Sequence, residues 1–195
     1  EGETDLRIDK WVNRLTAEFK QKGSFKTSHI RNNFNLIADD FASIPVKRVP
    51  KVKVGIVGEI YVKFAPLGNN NLEEFLLSEG CEPVVPGLTD FIIFKCDNRV
   101  VDHQLYGGKF ATFVGAGFLK WYCMKLQKYM IEAVKRYPEF RAPCTFEHLK
   151  KLVKGYLGYG NKMGEGWLLT AEMLELIDSG VNNIVCTQPF GCLPN

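Results

Sequence analysis

The residues with the clearest chemical potential are two cysteines near the end of the chain. Cys186 ends a short apolar run, and Cys192 follows within the segment TQPFGCLPN. Thiolates are the usual ligands of iron–sulfur clusters, which normally take three or four of them. Backbone amides in the turn around Cys192 could point at the sulfides of such a cluster. The spacing alone is not specific, because each cysteine could equally be a buried structural residue.

Composition and charge exclude several classes of protein. Hydrophobic residues make up 46% and charged residues 24% of the chain, and the net charge is +3, too balanced to require a nucleic acid or an anionic membrane. No apolar run approaches the ~18–20 residues that span a bilayer, and the polar first residues do not resemble a signal peptide. Six cysteines without a C-x-x-C pair indicate a reducing compartment. We therefore expect a cytoplasmic protein with neither a nucleic-acid nor a membrane partner.

The first fifty residues predict two helices and a connector. Apolar residues recur at steps of three and four before Gly23 and again before Pro45, which is the spacing of amphipathic helices. The basic stretch VKRVPKVK follows and is interpreted as a solvated connector. We expect residues 1–50 to form a helical arm and linker.

Residues 51–195 predict an α/β domain. VKVGIVGEIYV is typical of an interior parallel strand, with Gly55 and Gly58 allowing close backbone approach. The helix LEEFLLSEG follows, with Asn71 and Glu74 as its capping box and Gly80 as its stop, and CEPVVPG is a second strand. A strand, a helix and a strand in this order form a βαβ unit. With a last helix in GEGWLLTAEMLELIDSG and a strand in VNNIVC, we predict a Rossmann-like parallel sheet flanked by helices.

The middle of the chain predicts a helical insertion at about residues 101–160. A long helix ends at Pro138, and Thr145 is expected to cap the next helix. The face of the long helix that we expect in the core comprises Leu119, Tyr122, Cys123, Leu126, Tyr129, Met130, Ala133 and Tyr137. The residues of the last helix that we expect to be buried are Leu168, Leu169, Met173, Leu176 and Ile177.

The glycine-rich stretch YLGYGNKMGEGWLL precedes the last predicted helix. Free backbone amides at a helix start can hold an anion, such as the phosphate of a nucleotide or of coenzyme A. The stretch is neither a Walker A loop nor a G-x-G-x-x-G fingerprint, and chain flexibility explains it equally well. Glu165 could exchange a proton here, or act only as a charge near the helix dipole. A hydrolase finds no support, since there is no G-x-S-x-G motif and His29, His103 and His148 show no metal-ligand spacing.

Loops at one edge of the predicted sheet are candidates for ligand binding. Open parallel sheets bind ligands beyond the carboxyl ends of their strands. The Gly58–Asn71 loop and the segment TQPFGCLPN should therefore converge there, with the Gly160–Gly166 loop beside them. The candidate residues of this cleft are Gly58, Glu59, Asn69, Asn70, Asn71, Gly164, Glu165, Gly166 and Gln188.

Three segments carry a resemblance to a known family. VGIVGEIYVKFAPLGNNNLEEFLLSEG, GEGWLLTAEMLELIDSGVNNIVC and QPFGCLPN resemble the C-terminal region of large proteins related to coenzyme-A-substrate-specific enzyme activases. Those proteins fuse an ATPase module, similar to the activator of 2-hydroxyglutaryl-CoA dehydratase, to segments similar to the dehydratase. The resemblance covers roughly residues 52–195 and is weakest in the middle helices.

The resemblance implies an iron–sulfur function. In such systems the activator uses ATP to drive an electron into a [4Fe–4S] cluster, and the dehydratase passes it to a hydroxyacyl-CoA thioester. Similar lobes have a ligand cysteine after a strand and just before a proline. Cys192-Leu193-Pro194 matches this position, so the resemblance implies Cys192 as a ligand. Cys186 has no equally firm counterpart and is a second candidate.

The chain departs from the family pattern in lacking the ATPase module and the earlier cysteines that would complete a cluster. We therefore expect it to belong to a longer polypeptide, whose other domains are its partners, and to be catalytically silent and free of iron alone. Two alternatives remain open at this point. One is a non-redox module that binds an acyl-CoA or a nucleotide, and the other is a structural interaction domain.

Overall fold

The structure is a computed structural model that describes residues 2–192. The chain divides into two compact units. The first combines the residues up to Arg48 with Met124–Pro143, and the second combines Val49–Cys123 with the residues from Cys144 onward. Part of the expected insertion is thus grouped with the N-terminal helices rather than with the α/β part. None of the helices that the structure describes combines the length and apolarity that crossing a bilayer requires.

The first unit is helical. Its helices are α1 (Glu3–Phe19), α2 (Thr27–Ala42) and the second half of α7 (Phe110–Val134). Trp11 of α1 is buried, and its indole Nε1 donates to Asp40 Oδ2 of α2 at 2.7 Å. The pKa of Asp40 is lowered, chiefly by the hydrogen bond from Lys10. The two predicted N-terminal helices are confirmed, although Leu6 and Val12, two of the apolar residues of α1, are exposed.

The second unit is built on three parallel strands. The strands are β1 (Lys53–Gly58), β2 (Glu82–Val84) and β3 (Asn183–Thr187), in the order β2-β1-β3. Lys53 pairs with Glu82, and Val57 pairs with Cys186. The other elements of this unit are α3 (Ile60–Phe64), α4 (Pro66–Asn69), α5 (Leu72–Ser78), α6 (Leu88–Tyr106), the first half of α7, α8 (Phe146–Val153) and α9 (Trp167–Asp178). A parallel sheet with flanking helices places the protein in the α/β class.

The core of the second unit lies on both faces of β1. Ile56 packs with Leu76 of α5, whereas Val57 packs with Leu176 of α9. A Cβ added at Gly55 would lie 2.6 Å from Leu176 Cδ1, so this glycine lets α9 pack directly on the strand, as the sequence predicted. Trp167, fully buried at the start of α9, joins α6 and α8 through ring contacts with Phe94 and Phe146.

Several predicted details are wrong. The run EIYV does not continue β1, because Glu59 caps a short helix by accepting a hydrogen bond from Val62 N. Asn71 has a left-handed backbone (φ 54°) and makes no side-chain cap, so the predicted capping box with Glu74 is absent. Leu119 and Ile177 are exposed rather than in the core. The helix α6 was not predicted, whereas the Thr145 cap is confirmed by its bond from His148 N.

Candidate functional site

The carboxyl ends of β1 and β3 are held together by two hydrogen bonds, one of them from a side chain. Glu59 N donates to Thr187 O at 3.0 Å, and Thr187 Oγ1 donates to Val57 O at 3.3 Å. Gly58 has a φ of 146°, and a Cβ added there would lie 1.9 Å from Thr187 O. Only glycine fits at this position. Two of the loops that the sequence assigned to the cleft therefore begin side by side.

The glycine-rich loop reaches the same edge of the sheet through Glu165. Its Oε1 accepts a hydrogen bond from Ile60 N at 2.8 Å, directly after Glu59. The Glu165 side chain is buried, and its Oε2 has no hydrogen-bond partner among the described residues. Gly58, Glu59 and Glu165 are thus brought together, with Gln188 next to Thr187 in the chain.

The start of α9 offers little room for a phosphate. Gly166 has a φ of 49°, and a Cβ there would lie 2.2 Å from Asn161 O. The first amides of the helix are in use, because Trp167 N donates to Asn161 O and Leu168 N donates to Glu165 O. The buried Glu165 carboxylate also lies beside this terminus and would repel an anion. Gly164 and Gly166 therefore shape a turn rather than an anion cradle.

The three asparagines form a turn between short helices. The side chain of Asn69 donates to Val62 O at 2.9 Å and accepts from Leu72 N at 3.1 Å. Asn70 and Asn71 both have left-handed backbones, a conformation that asparagine tolerates better than most residues. Their described hydrogen bonds reach neither Glu165 nor the cysteines. The structure thus gives these asparagines a local role.

The two candidate metal ligands lie at and after the end of β3. Cys186 is exposed, and its Sγ accepts a hydrogen bond from Gln188 Nε2 at 3.1 Å. Cys192 is half-buried in a turn whose backbone bond runs from Cys192 N to Pro189 O. Leu193 and Pro194, which belong to the motif of the resemblance, lie outside the described residues.

A whole iron–sulfur cluster does not fit the donors that the chain presents. Residues 2–192 contain no group of three or more His, Cys, Asp or Glu side chains placed to hold a metal ion. A [4Fe–4S] cluster needs about four ligands, which is more than Cys186 and Cys192 together supply. Burial raises the pKa of the Cys96 and Cys123 thiols, as expected for structural cysteines. The described part of the chain could supply one part of a ligand set.

A buried charged cluster lies near the same edge and was not anticipated. Lys63 of α3 is 2% exposed, and its Nζ contacts both carboxylate oxygens of Glu172 on α9, at 3.1 and 3.0 Å. Burial raises the pKa of Glu172 to about 7, against the lowering effect of Lys63, and Asp90 and Glu165 raise it further. Such a group exchanges a proton near neutral pH. A lysine inside IYVKF and a glutamate inside LLTAEMLEL, each interrupting an apolar run, were the available signals.

Two of the three histidines, His103 and His148, occupy different settings. His148 is half-buried and lies 3.4 Å from Asp178. His103 is half-buried at the end of α6, with its ring centroid 4.7 Å from that of Phe113. Its Nδ1 is buried and has no hydrogen-bond partner within residues 2–192.

Comparisons of the chain with protein-family models, with curated proteins and with solved structures give no significant match.

Proposed function

We propose that the protein is one lobe of an iron–sulfur electron-transfer unit in a 2-hydroxyacyl-CoA dehydratase/activase-like protein of the cytoplasm. Its Rossmann-like sheet would present Cys192 and Cys186 as ligands beyond the carboxyl end of β3. The observation that carries the proposal is the Cys186 thiol, which is exposed and accepts a hydrogen bond from Gln188 Nε2. Hydrogen bonds to ligand sulfur are among the features that tune iron–sulfur clusters.

The location of the two thiols also supports the proposal. The ends of β1 and β3 are held together by the hydrogen bond from Glu59 N to Thr187 O. The segment with both cysteines therefore begins at a strand end that is fixed to its neighbour. All six cysteines are free thiols, which is consistent with a reducing compartment. The remaining ligands would come from another domain of the same polypeptide, and the ATPase module would be a further domain. The isolated chain is accordingly inactive and free of iron.

Anaerobic reconstitution with ferrous iron and sulfide tests this proposal. The preparation is the natural polypeptide that carries this sequence, as wild type and as Cys192→Ser, Cys186→Ser and Cys81→Ser variants. Cys81 is the matched control, because it packs against the Val54–Ile56 cluster beside β2. We expect iron content and visible thiolate-to-iron absorption to fall in Cys192→Ser and to stay at the wild-type level in Cys81→Ser.

The competing hypothesis is a non-redox binding module in which Cys192 only packs. It predicts equal iron content and equal absorption in the wild type and in Cys192→Ser. That result would remove the ligand assignment and with it the proposed function.

A further inference from the structure

A polar groove runs along α6 on the side of the glycine-rich loop. It encloses a cavity of about 350 Å³, within the size range of small-molecule sites. A second cavity of about 150 Å³ shares Arg99 and Asp102 with it and continues to the start of α7. The residues that line the larger cavity, which we call the α6 groove, are Lys95, Asn98, Arg99, Asp102, Lys162 and Met163.

The α6 groove carries an excess of positive charge. Lys95 and Arg99 are four residues apart on α6 and therefore lie on one face of the helix. Lys162 is ion-paired with Asp102, whereas Arg99 is exposed and has no ion-pair partner within residues 2–192. The pKa of Lys95 is lowered, first by burial and also by the nearby Arg99 charge, against the raising effect of Glu165. The groove thus holds the cations Lys95, Arg99 and Lys162 against Asp102 in its lining and Glu165 nearby, and this positive excess favours an anion beside Arg99 and Lys95.

One of the two cations, Lys95, is held in place by the fold. Lys95 Nζ donates to Gly164 O at 2.7 Å, which ties α6 to the glycine-rich loop. Its ammonium also lies 4.8 Å from the centre of the Phe91 ring. An ordered cation loses less conformational entropy on binding a ligand than a free surface lysine does. The groove is therefore partly preorganised.

A buried amide in the groove lacks a partner. Asn98 is 7% exposed, and its Oδ1 has no hydrogen-bond partner among the described residues. Most buried side-chain polar atoms are paired, so an unpaired acceptor in a cavity wall indicates a position for a ligand donor. In the adjoining cavity, the buried Nδ1 of His103 likewise has no hydrogen-bond partner among the described residues.

We propose that the α6 groove binds a small phosphorylated molecule. Arg99 and Lys95 hold the phosphoryl group, and Asn98 Oδ1 accepts a hydrogen bond from a hydroxyl on the remainder of the ligand. Guanidinium groups bind phosphate oxygens in pairs, which makes Arg99 the principal contact. This site lies on α6 and Lys162, not at the start of α9, where the sequence had suggested a phosphate. Binding at this site requires neither Cys186 nor Cys192, so this proposal is independent of the proposed iron–sulfur function.

Isothermal titration calorimetry tests the phosphate contact. Inorganic phosphate, pyrophosphate and ribose 5-phosphate are titrated at constant ionic strength into the full chain, as wild type, Arg99→Gln and Lys151→Gln. Lys151, an exposed lysine of α8, is the control that loses the same charge outside the groove. We expect pyrophosphate binding to weaken roughly tenfold in Arg99→Gln and to stay unchanged in Lys151→Gln. No binding of any of the three compounds, or equal weakening in both variants, overturns the proposal.

A second variant tests the role of Asn98. The wild type should bind ribose 5-phosphate more tightly than inorganic phosphate, and Asn98→Ala should abolish this preference while keeping the affinity for phosphate. A preference that survives in Asn98→Ala contradicts the hydroxyl contact. Because Asn98 is buried, circular dichroism first establishes that the variant folds. Arg99 is exposed, so Arg99→Gln decides the phosphate site even if Asn98→Ala does not fold.

Discussion

Lys63 and Glu172, which are 109 residues apart in the chain, form a buried ion pair with both carboxylate oxygens within 3.1 Å of the lysine Nζ. The pair joins α3, which follows β1, to α9, which precedes β3. It therefore helps to position both loops that carry the candidate site. Removing one partner of a buried pair leaves an uncompensated charge in the core.

At a pH above 7, where Glu172 is ionised in the wild type, Lys63→Met should lower the free energy of unfolding by up to about 3–5 kcal/mol, because Glu172 would be left buried without its cation. Urea denaturation followed by far-UV circular dichroism measures this difference. Lys154→Met is the control, since Lys154 is exposed and should change stability by less than about 0.5 kcal/mol. A loss of the same small size in Lys63→Met would show that the pair contributes little.

The raised pKa of Glu172 predicts a dependence of stability on pH. Its pKa is about 7 in the folded protein against an ordinary value of 4.5, so the folded state binds more protons than the unfolded state between these values. The contribution of Glu172 to the free energy of unfolding is fully present below pH 4.5. It falls by up to about 3 kcal/mol as the pH rises to about 7. Chemical denaturation across this pH range should show the decline in the wild type and a flatter profile in Glu172→Gln. Parallel profiles for the two proteins would contradict the assignment to Glu172.

Gly58→Ala should be among the most destabilising single substitutions in the second unit. The added Cβ would overlap Thr187 O at 1.9 Å, and φ is 146°, so we expect a loss of at least about 2 kcal/mol. Gly87→Ala is the matched control, because that glycine caps α6 with φ −75° and has open space at its Cβ position. Melting temperatures of the two variants provide the comparison, and equal values would show that the ends of β1 and β3 are not held as described.

Thr145→Ala should lower stability by about 1 kcal/mol, since the side chain of Thr145 accepts the hydrogen bond from His148 N at the start of α8. Thr16→Ala, at an exposed position inside α1, should not lower it, because alanine has the higher helix propensity. Thermal unfolding of both variants tests the cap. Equal melting temperatures would mean that the α8 cap has no energetic role.

The features that follow from local patterns were predicted, and those that depend on distant contacts were not. The apolar run of β1 and the strand–helix–strand order led to the α/β class. The composition of the run EIYV is typical of a strand. The residues after Glu59 are nevertheless helical, because Glu165 accepts a hydrogen bond from Ile60 N and Glu59 accepts one from Val62 N. Glu165 lies 105 residues away, which no local pattern reveals.

The candidate site shows the same division. The topology rule for parallel sheets correctly indicated that the end of β1 and the residues after β3 are adjacent. The prediction for the asparagines was wrong, because Asn69 rather than Asn71 accepts the hydrogen bond from Leu72 N at the start of α5. The Lys63–Glu172 pair and the unpaired amide of Asn98 could not be predicted, since burial of a polar side chain depends on how distant helices pack.

The most direct test of the account is the iron content of the reconstituted natural polypeptide as wild type and as Cys192→Ser. We predict that Cys192→Ser loses cluster iron and its visible absorption while Cys81→Ser retains both. Equal iron and equal absorption in the wild type and in Cys192→Ser would contradict it.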